Sequence, residues 1–284
     1  MVPVCTSMKK ILFAFILLIF FLSSAALAGP PQRIVSLAPN VTEVLYDLGL
    51  GERVIAVSTY CNYPPEVRVK PKIGGMSNPS LEAIVSLKPD VVVLTDDGNP
   101  RQIAERLVKL KIPVYAFRAK RLADLPREIR KLGIAVGAKD RAERRARTME
   151  RQIASYAGKA RQTSPSAREK VLFVMQPEPL IVAGPGTAIN DILNLFGAKN
   201  IAADAPAPYP RFSIEEVIRR NPDIIFMVRT QDGMENRTGQ LPGKLKTLEA
   251  VRRGRVFYIG DSLLRMGPRI TEGITDIAGY LKRK

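Results

Sequence analysis

From Arg33 onward, short apolar runs alternate with stretches in which apolar residues recur every three or four positions. The runs Arg33 to Leu37, Val54 to Val57, Val91 to Leu94 and Val114 to Phe117 lack polar alternation, which predicts strands buried on both faces. Between them, the helical period covers Val41 to Leu48, Leu81 to Leu87, Ile103 to Leu110 and Leu125 to Leu132. Strand and helix in alternation predict an α/β unit around a parallel sheet, with right-handed crossovers. The rhythm stops at residue 138. Up to residue 160 the chain is highly charged, and Ala142, Ala146, Met149 and Ile153 mark one narrow apolar stripe. That spacing predicts a single long helix, closed by the polar run Thr163-Ser164-Pro165-Ser166. The α/β rhythm then resumes. Strands are predicted at Val171 to Val174, Ile224 to Val228 and Val256 to Ile259, and helices at Ile189 to Phe196, Ile214 to Arg220 and Ile270 to Leu281.

The two stretches flanking the long helix share a unit. Ser80-Leu81-Glu82 through Pro89-Asp90-Val91-Val92-Val93 aligns without a gap on Ser213-Ile214-Glu215 through Pro222-Asp223-Ile224-Ile225-Phe226. In each, serine caps a helix, proline stops it, and the apolar triplet that follows is a buried strand. The expected fold is therefore α/β, with two similar lobes of mainly parallel sheet joined by one long α-helix. The expected bounds are residues 29–137, 138–166 and 167–284. Ligands of open α/β sheets sit beyond the carboxyl ends of the strands, and clefts between lobes are favoured pockets. Function is therefore expected at residues 58–63, 95–99, 176–179, 206–212 and 260–265.

The segment before Arg33 sets the expected compartment. Lys9-Lys10, the apolar run of residues 11–22 and Ala26-Leu27-Ala28 read as a secretory signal peptide, residues 1–28, cleaved after Ala28. The apolar run is about 12 residues, short of the roughly 20 that span a bilayer. Cys5 precedes that run, so the lipoprotein pattern is absent, and the mature chain keeps only Cys61, expected as an inert, partly buried thiol. The absence of histidine removes the usual general base and the commonest zinc ligand, and no catalytic or metal motif takes their place. Gly184-Pro185-Gly186 lacks the lysine and spacing of a phosphate loop and reads as a turn before a helix. The net charge of +17 falls to +15 when Lys9 and Lys10 leave with the leader. The basic residues are scattered along helices, without the interleaved aromatics of a nucleic-acid surface, so no nucleic-acid partner is expected. Neither an enzyme nor a basic surface-adhesion protein accounts for the duplicated lobes.

The stretches Arg33-Ile34-Val35-Ser36-Leu37-Ala38-Pro39-Asn40-Val41-Thr42-Glu43, Tyr60-Cys61-Asn62-Tyr63-Pro64-Pro65, Ile73-Gly74-Gly75-Met76 and both copies of the repeated unit resemble one family. It is the family of periplasmic substrate-binding proteins of ABC importers for siderophores, haem and cobalamin, and the cobalamin-binding branch is the nearest. The resemblance runs from about residue 33 to the end. It implies a class III periplasmic binding protein-like fold with modest closure of rigid lobes. It also implies a monomer in the periplasm, without catalytic residues, resident cofactor or structural metal. It implies that Glu82 and Glu215, one per lobe, pair with arginines of a dimeric membrane permease, and charge-assisted pairs of this kind set register. For the ligand, a cobalt corrinoid, it implies contacts from Tyr60, Gly75, Met76, Tyr209, Asp261 and Arg265. Tyr63 is expected to brace the Pro64-Pro65 turn. Two departures from the branch are visible: no tryptophan, and Thr95-Asp96-Asp97 where an aromatic is expected. They keep open a haem binder with Tyr60 or Tyr209 on iron, and a ferric-siderophore binder anchored by Arg118, Arg211 or Arg265.

Overall fold

The computed structural model describes residues 29–160, 168–228, 241 and 243–281. The signal peptide assigned to residues 1–28 and the polar run after the long helix lie outside them. Two separate sheets form. The first has the order β2-β1-β3-β4, with β1 at Ile34–Ser36, β2 at Val54–Val57, β3 at Val91–Thr95 and β4 at Val114–Phe117. Every neighbouring pair in it is parallel. Helices α1 (Pro39–Asp47), α2 (Leu81–Ser86), α3 (Arg101–Lys109) and α4 (Asp124–Ala135) connect or follow these strands. Helix α5, Lys139–Ala160, then leads to the second sheet.

The second sheet is built on β5 (Lys170–Pro177), β8 (Ile224–Val228) and β9 (Val256–Ile259), all parallel. Two short strands share the outer edge of β5. β6 (Leu180–Val182) folds back antiparallel on its carboxyl half, and β7 (Lys199–Asn200) runs parallel to its first two residues. Helices α6 (Ala188–Leu195), α7 (Ile214–Arg220), α8 (Glu249–Arg252) and α9 (Ile270–Leu281) complete the described residues of this lobe. The bilobal α/β fold expected from the repeated unit is the fold the chain adopts.

Strand pleating distributes the core. Successive side chains of a strand point to opposite faces. In the first sheet Val35, Val92 and Leu94 join Ile84, Ile103 and Leu107 in one cluster. In the second, Leu172, Val174, Ile225 and Met227 join Val217, Leu245 and Leu248 in another. The alternate positions, Ile34, Val91 and Val93 in one sheet and Val171, Phe173, Ile224 and Phe226 in the other, belong to a single cluster spanning both lobes. Ala142 and Met149 of α5 are part of it, as the stripe on that helix predicts. The lobes therefore share apolar core. A fully buried phenylalanine such as Phe173 or Phe226 contributes roughly 1.5–3 kcal/mol to the core. Helices α4 and α5 pack closely because Gly133 faces Ala142, where an added Cβ would collide with the alanine methyl.

Candidate functional site

The repeated unit folds identically in both lobes. Ser80 Oγ accepts a hydrogen bond from Ala83 N at 3.2 Å, and Ser213 Oγ accepts one from Glu216 N at 3.0 Å. Each serine thus satisfies a backbone donor left open at the start of α2 or α7. Each helix ends in a left-handed residue before its proline, Lys88 and Asn221, both at φ 45°. The aspartate that follows ties down the start of the neighbouring strand. Asp90 accepts from Gln32 N and Arg33 N at 2.7 and 2.9 Å, and Asp223 accepts from Lys170 N at 2.7 Å. Glu82 and Glu215 thereby occupy matching, exposed places in the first turns of α2 and α7. Around Glu215 the partners are sparse: Lys244 Nζ lies 4.0 Å away and both side chains are 75 % exposed.

A cavity of about 440 Å³ lies between the lobes. Asp97, Ala119 and Lys120 line it from the loops after β3 and β4. Met175, the segment 186–189 at the start of α6, Ala207, Pro208 and Tyr209, and Leu263, Leu264 and Met266 line it from the other lobe. The Gly184-Pro185-Gly186 turn presents that segment. Thr187 Oγ1 donates to Gly184 O at 2.8 Å and accepts from Asn190 N at 3.1 Å, capping α6. Val182 N and Gly184 N donate to Pro210 O and Pro208 O, which holds the 207–209 wall against β6. In the first lobe, buried Asn99 is the corresponding brace. Its Oδ1 accepts from Thr95 N at 2.9 Å, and its Nδ2 donates to Leu37 O and Met76 O at 3.1 and 2.9 Å. One side chain thus fixes the loops after β1 and β3 and the loop carrying Met76.

The side chains expected at the ligand separate into two groups. Tyr209 lines the cavity and is 54 % exposed. Lost hydration against the wall, and then the charge of Asp97, hold its phenol above the usual tyrosine range. Tyr60, 55 % exposed, lies on the first lobe beside Gly75, where an added Cβ would come within 3.3 Å of the tyrosine ring and would also strike Asn78. Gly75 is therefore the residue that lets Tyr60 lie against the loop. Met76 is half-buried, packed against the shared core.

Asp261 and Arg265 do something else. Arg265 Nη1 donates to Glu43 Oε1 at 2.7 Å and to Asn62 Oδ1 at 2.8 Å, crossing between the lobes, while its Nη2 meets Asp261 Oδ2 at 2.8 Å. Arg269 Nη2 donates to Asp261 Oδ1 at 2.9 Å, and its guanidinium stacks 4.2 Å from the centre of the Tyr63 ring. Tyr63, expected only to brace a proline turn, is thus part of this network. The Glu43 side chain is 1 % exposed, and burial pushes its carboxyl up despite the arginines. Its Oε2 lies 3.4 Å from Arg269 Nε without making a hydrogen bond. Of the residues expected at the ligand, Tyr209 lines this cavity, and Tyr60, Gly75, Met76, Asp261 and Arg265 do not. Sequence reasoning missed Glu43 and Arg269, and it reached Asn99 only as the end of the stretch 95–99, without its bracing role. Glu43 stood inside the quoted family stretch, but its partner lies 222 residues away and no local pattern joins them.

Two further ties join the lobes. Arg121 Nε donates to both carboxylate oxygens of Asp191 at 2.9 and 2.7 Å, and Leu122 N donates to the same group at 3.1 Å. From α5, Arg145 reaches Asp47 at 2.6 Å on one side and Pro268 O at 3.0 Å on the other. Cys61 is buried, with Thr42 and Ser58 hydroxyls at 3.1 and 3.2 Å, and burial raises its thiol pKa. Among the described residues, no three or more His, Cys, Asp or Glu side chains are grouped to hold a metal ion.

Comparison with known proteins agrees with this architecture. Residues 34–263 match the periplasmic binding protein family. The vitamin B12-binding protein of Pectobacterium atrosepticum is 35 % identical over 208 residues, covering 72 % of this chain and 75 % of its own. The crystal structure of the periplasmic vitamin B12-binding protein BtuF of Vibrio cholerae superposes with a TM-score of 0.77 at 27 % identity, over 89 % of this chain and 97 % of that one. The periplasmic heme-binding protein RhuT of Roseiflexus sp. RS-1 also gives a TM-score of 0.77, at 31 % identity, over 89 % and 98 % of the two chains. The overall architecture is thus that of these solved structures, and this chain belongs to the periplasmic binding protein family.

Proposed function

We propose that this chain is the substrate-binding component of an ABC importer. It captures cobalamin or a related corrinoid between its lobes and delivers it to a membrane permease, without catalysing a reaction. The observation that carries the choice of ligand is the composition of the cavity wall. The wall is predominantly apolar, and its charged side chains are Asp97 and Lys120, one of each sign. A large ligand of little net charge suits such a wall. An anionic chelate calls for converging arginines. Arg118, Arg211 and Arg265 do not line the cavity. Arg118 faces Asp96 at 3.8 Å, Arg211 borders other surface hollows, and Arg265 is committed to Glu43 and Asp261.

In this reading Tyr209 offers an aromatic face to the macrocycle from the cavity wall and Tyr60 a second from the opposite lobe, outside that wall, with Gly75 and Met76 on the loop beside it. Asp261 and Arg265 meet the ligand's edge only where they can exchange part of their network for it. Glu82 and Glu215 dock to the two halves of the permease dimer, and their exposure and matched placement suit a partner with two-fold symmetry. Cleavage after Ala28 releases the chain into the periplasm. A haem-binding reading has the similarity to RhuT in its favour, with Tyr60 or Tyr209 as iron ligand. It meets an obstacle at Tyr209, whose phenol pKa burial and the charge of Asp97 raise above the usual tyrosine range. The deciding experiment titrates residues 29–284 with cyanocobalamin and, separately, with haemin, by calorimetry and visible absorbance. Saturable binding of one cyanocobalamin per chain is expected. Binding of haemin alone, with a new iron–phenolate band, would replace the corrinoid reading by the haem reading.

A further inference from the structure

We propose that Asp97 and Lys120 are specificity-determining residues that select a ligand rimmed by primary carboxamides over one rimmed by carboxylates. This rests on the corrinoid reading above and names what separates such a ligand from its acidic analogues. Asp97 and Lys120 come from consecutive strand-end loops, after β3 and β4, and line the same cavity. Asp97 is held in place through Oδ1, which accepts the Thr95 hydroxyl at 2.5 Å. The Lys120 backbone is fixed by its N–H to Asp124 at 3.3 Å. Among the described residues, neither side chain is neutralised by an ion pair, although the mature chain carries a large positive excess. The remaining lining residues carry no charge.

A wall with one anchored acceptor, Asp97, and one exposed lysine, Lys120, matches the carboxamide group on both counts. The amide N–H₂ donates to Asp97, and the amide carbonyl accepts from Lys120. A carboxylate in the same place pairs with Lys120 but opposes Asp97 at close range, with no donor to offer it. Tyr209, across the cavity, adds a phenol hydroxyl that can donate, and no charge. The lobe therefore discriminates by charge on a surface where an aromatic side chain would discriminate by shape alone.

The test compares cyanocobalamin with a derivative whose peripheral carboxamides have been hydrolysed to carboxylates. Both are titrated calorimetrically into residues 29–284, unmodified and as Asp97→Asn and Lys120→Gln, with circular dichroism to verify folding. The unmodified chain prefers the amide form by about tenfold at low salt, and the preference shrinks at high salt. Asp97→Asn removes most of that ratio, and Lys120→Gln increases it. An unchanged ratio in Asp97→Asn, with cyanocobalamin still bound by the unmodified chain, overturns the inference and leaves the corrinoid reading standing. Failure of the unmodified chain to bind cyanocobalamin overturns that reading and the inference with it.

Discussion

The two lobes share a frame and differ in their walls. Serine cap, left-handed helix end, proline and strand-anchoring aspartate recur at Ser80, Lys88, Pro89 and Asp90 and at Ser213, Asn221, Pro222 and Asp223. The sheets then diverge. The first is parallel throughout, and the second adds the antiparallel strand β6, against which residues 208–210 are hydrogen-bonded. That addition carries Pro208 and Tyr209 to the cavity, and most of its apolar lining comes from this lobe. The first lobe contributes the charged side chains. The repeated unit holds helices and strands together in both lobes, while the cavity wall comes from segments the two lobes do not share.

The largest expected effect breaks the contact between the lobes. Glu43→Ala leaves Arg265 and Arg269, only 15 % and 14 % exposed, with Asp261 of their own lobe but without the carboxylate they share across the lobes. Removing one partner of a buried pair costs about 3–5 kcal/mol. Urea unfolding of the variant is expected to show a loss in that range, and a loss below about 1 kcal/mol would mean that the network does not tie the lobes. The next pair sharpens the comparison between the frames. Asp90→Ala gives up two backbone donors and Asp223→Ala one, so losses of about 2 and about 1 kcal/mol are expected by the same measurement. Ser80→Ala and Ser213→Ala should each cost about 1 kcal/mol, the usual worth of an N-cap. A gap of more than about 1 kcal/mol between the two serines would show that the caps are not equivalent.

Much of this frame was legible in the sequence because it is local. The bounds expected for Val54–Val57, Val114–Phe117, Ile214–Arg220, Ile224–Val228, Val256–Ile259 and Ile270–Leu281 are those observed. Each is a run long enough for its period to register. β6 and β7, at three and two residues, are too short to carry a period, and their pairing with β5 is decided by tertiary contact. The cavity takes residues from three of the five expected stretches, through Asp97, Tyr209 and Leu264, and none from 58–63 or 176–179. The use of Arg265 was not legible, because an arginine in a cleft loop reads as a ligand anchor until Glu43 is seen facing it from the other lobe. The Asp97 position registered as part of the expected stretch 95–99 and as a missing aromatic, not as a charged wall. Its role as a charged wall depends on Lys120, which lies 23 positions further along the chain and on another strand end.

The smallest effect sets two carboxylates against each other as pH falls. Glu143, on α5, is held by Arg130 at 2.8 Å and Arg147 at 2.6 Å, and these hydrogen bonds lower its pKa from 4.5 to about 2. A depressed carboxyl contributes stability that is complete above its unfolded value and is lost as pH falls from 4.5 through about 2. Glu43 has the opposite sign. Burial raises its pKa, so the folded state takes up that proton before the unfolded state does, and acid relieves a charge that burial opposes. Stability followed by circular dichroism between pH 6 and about 2 should therefore fall less steeply in Glu143→Gln than in the unmodified chain. In Glu43→Gln the fall should be as steep or steeper, from a lower starting stability. Because Glu143 lies on the surface, its contribution is small and screened, and salt should flatten its part of the acid limb. Equal acid slopes in all three proteins at low salt would mean that neither the α5 surface pair nor the inter-lobe carboxylate governs how the lobes come apart.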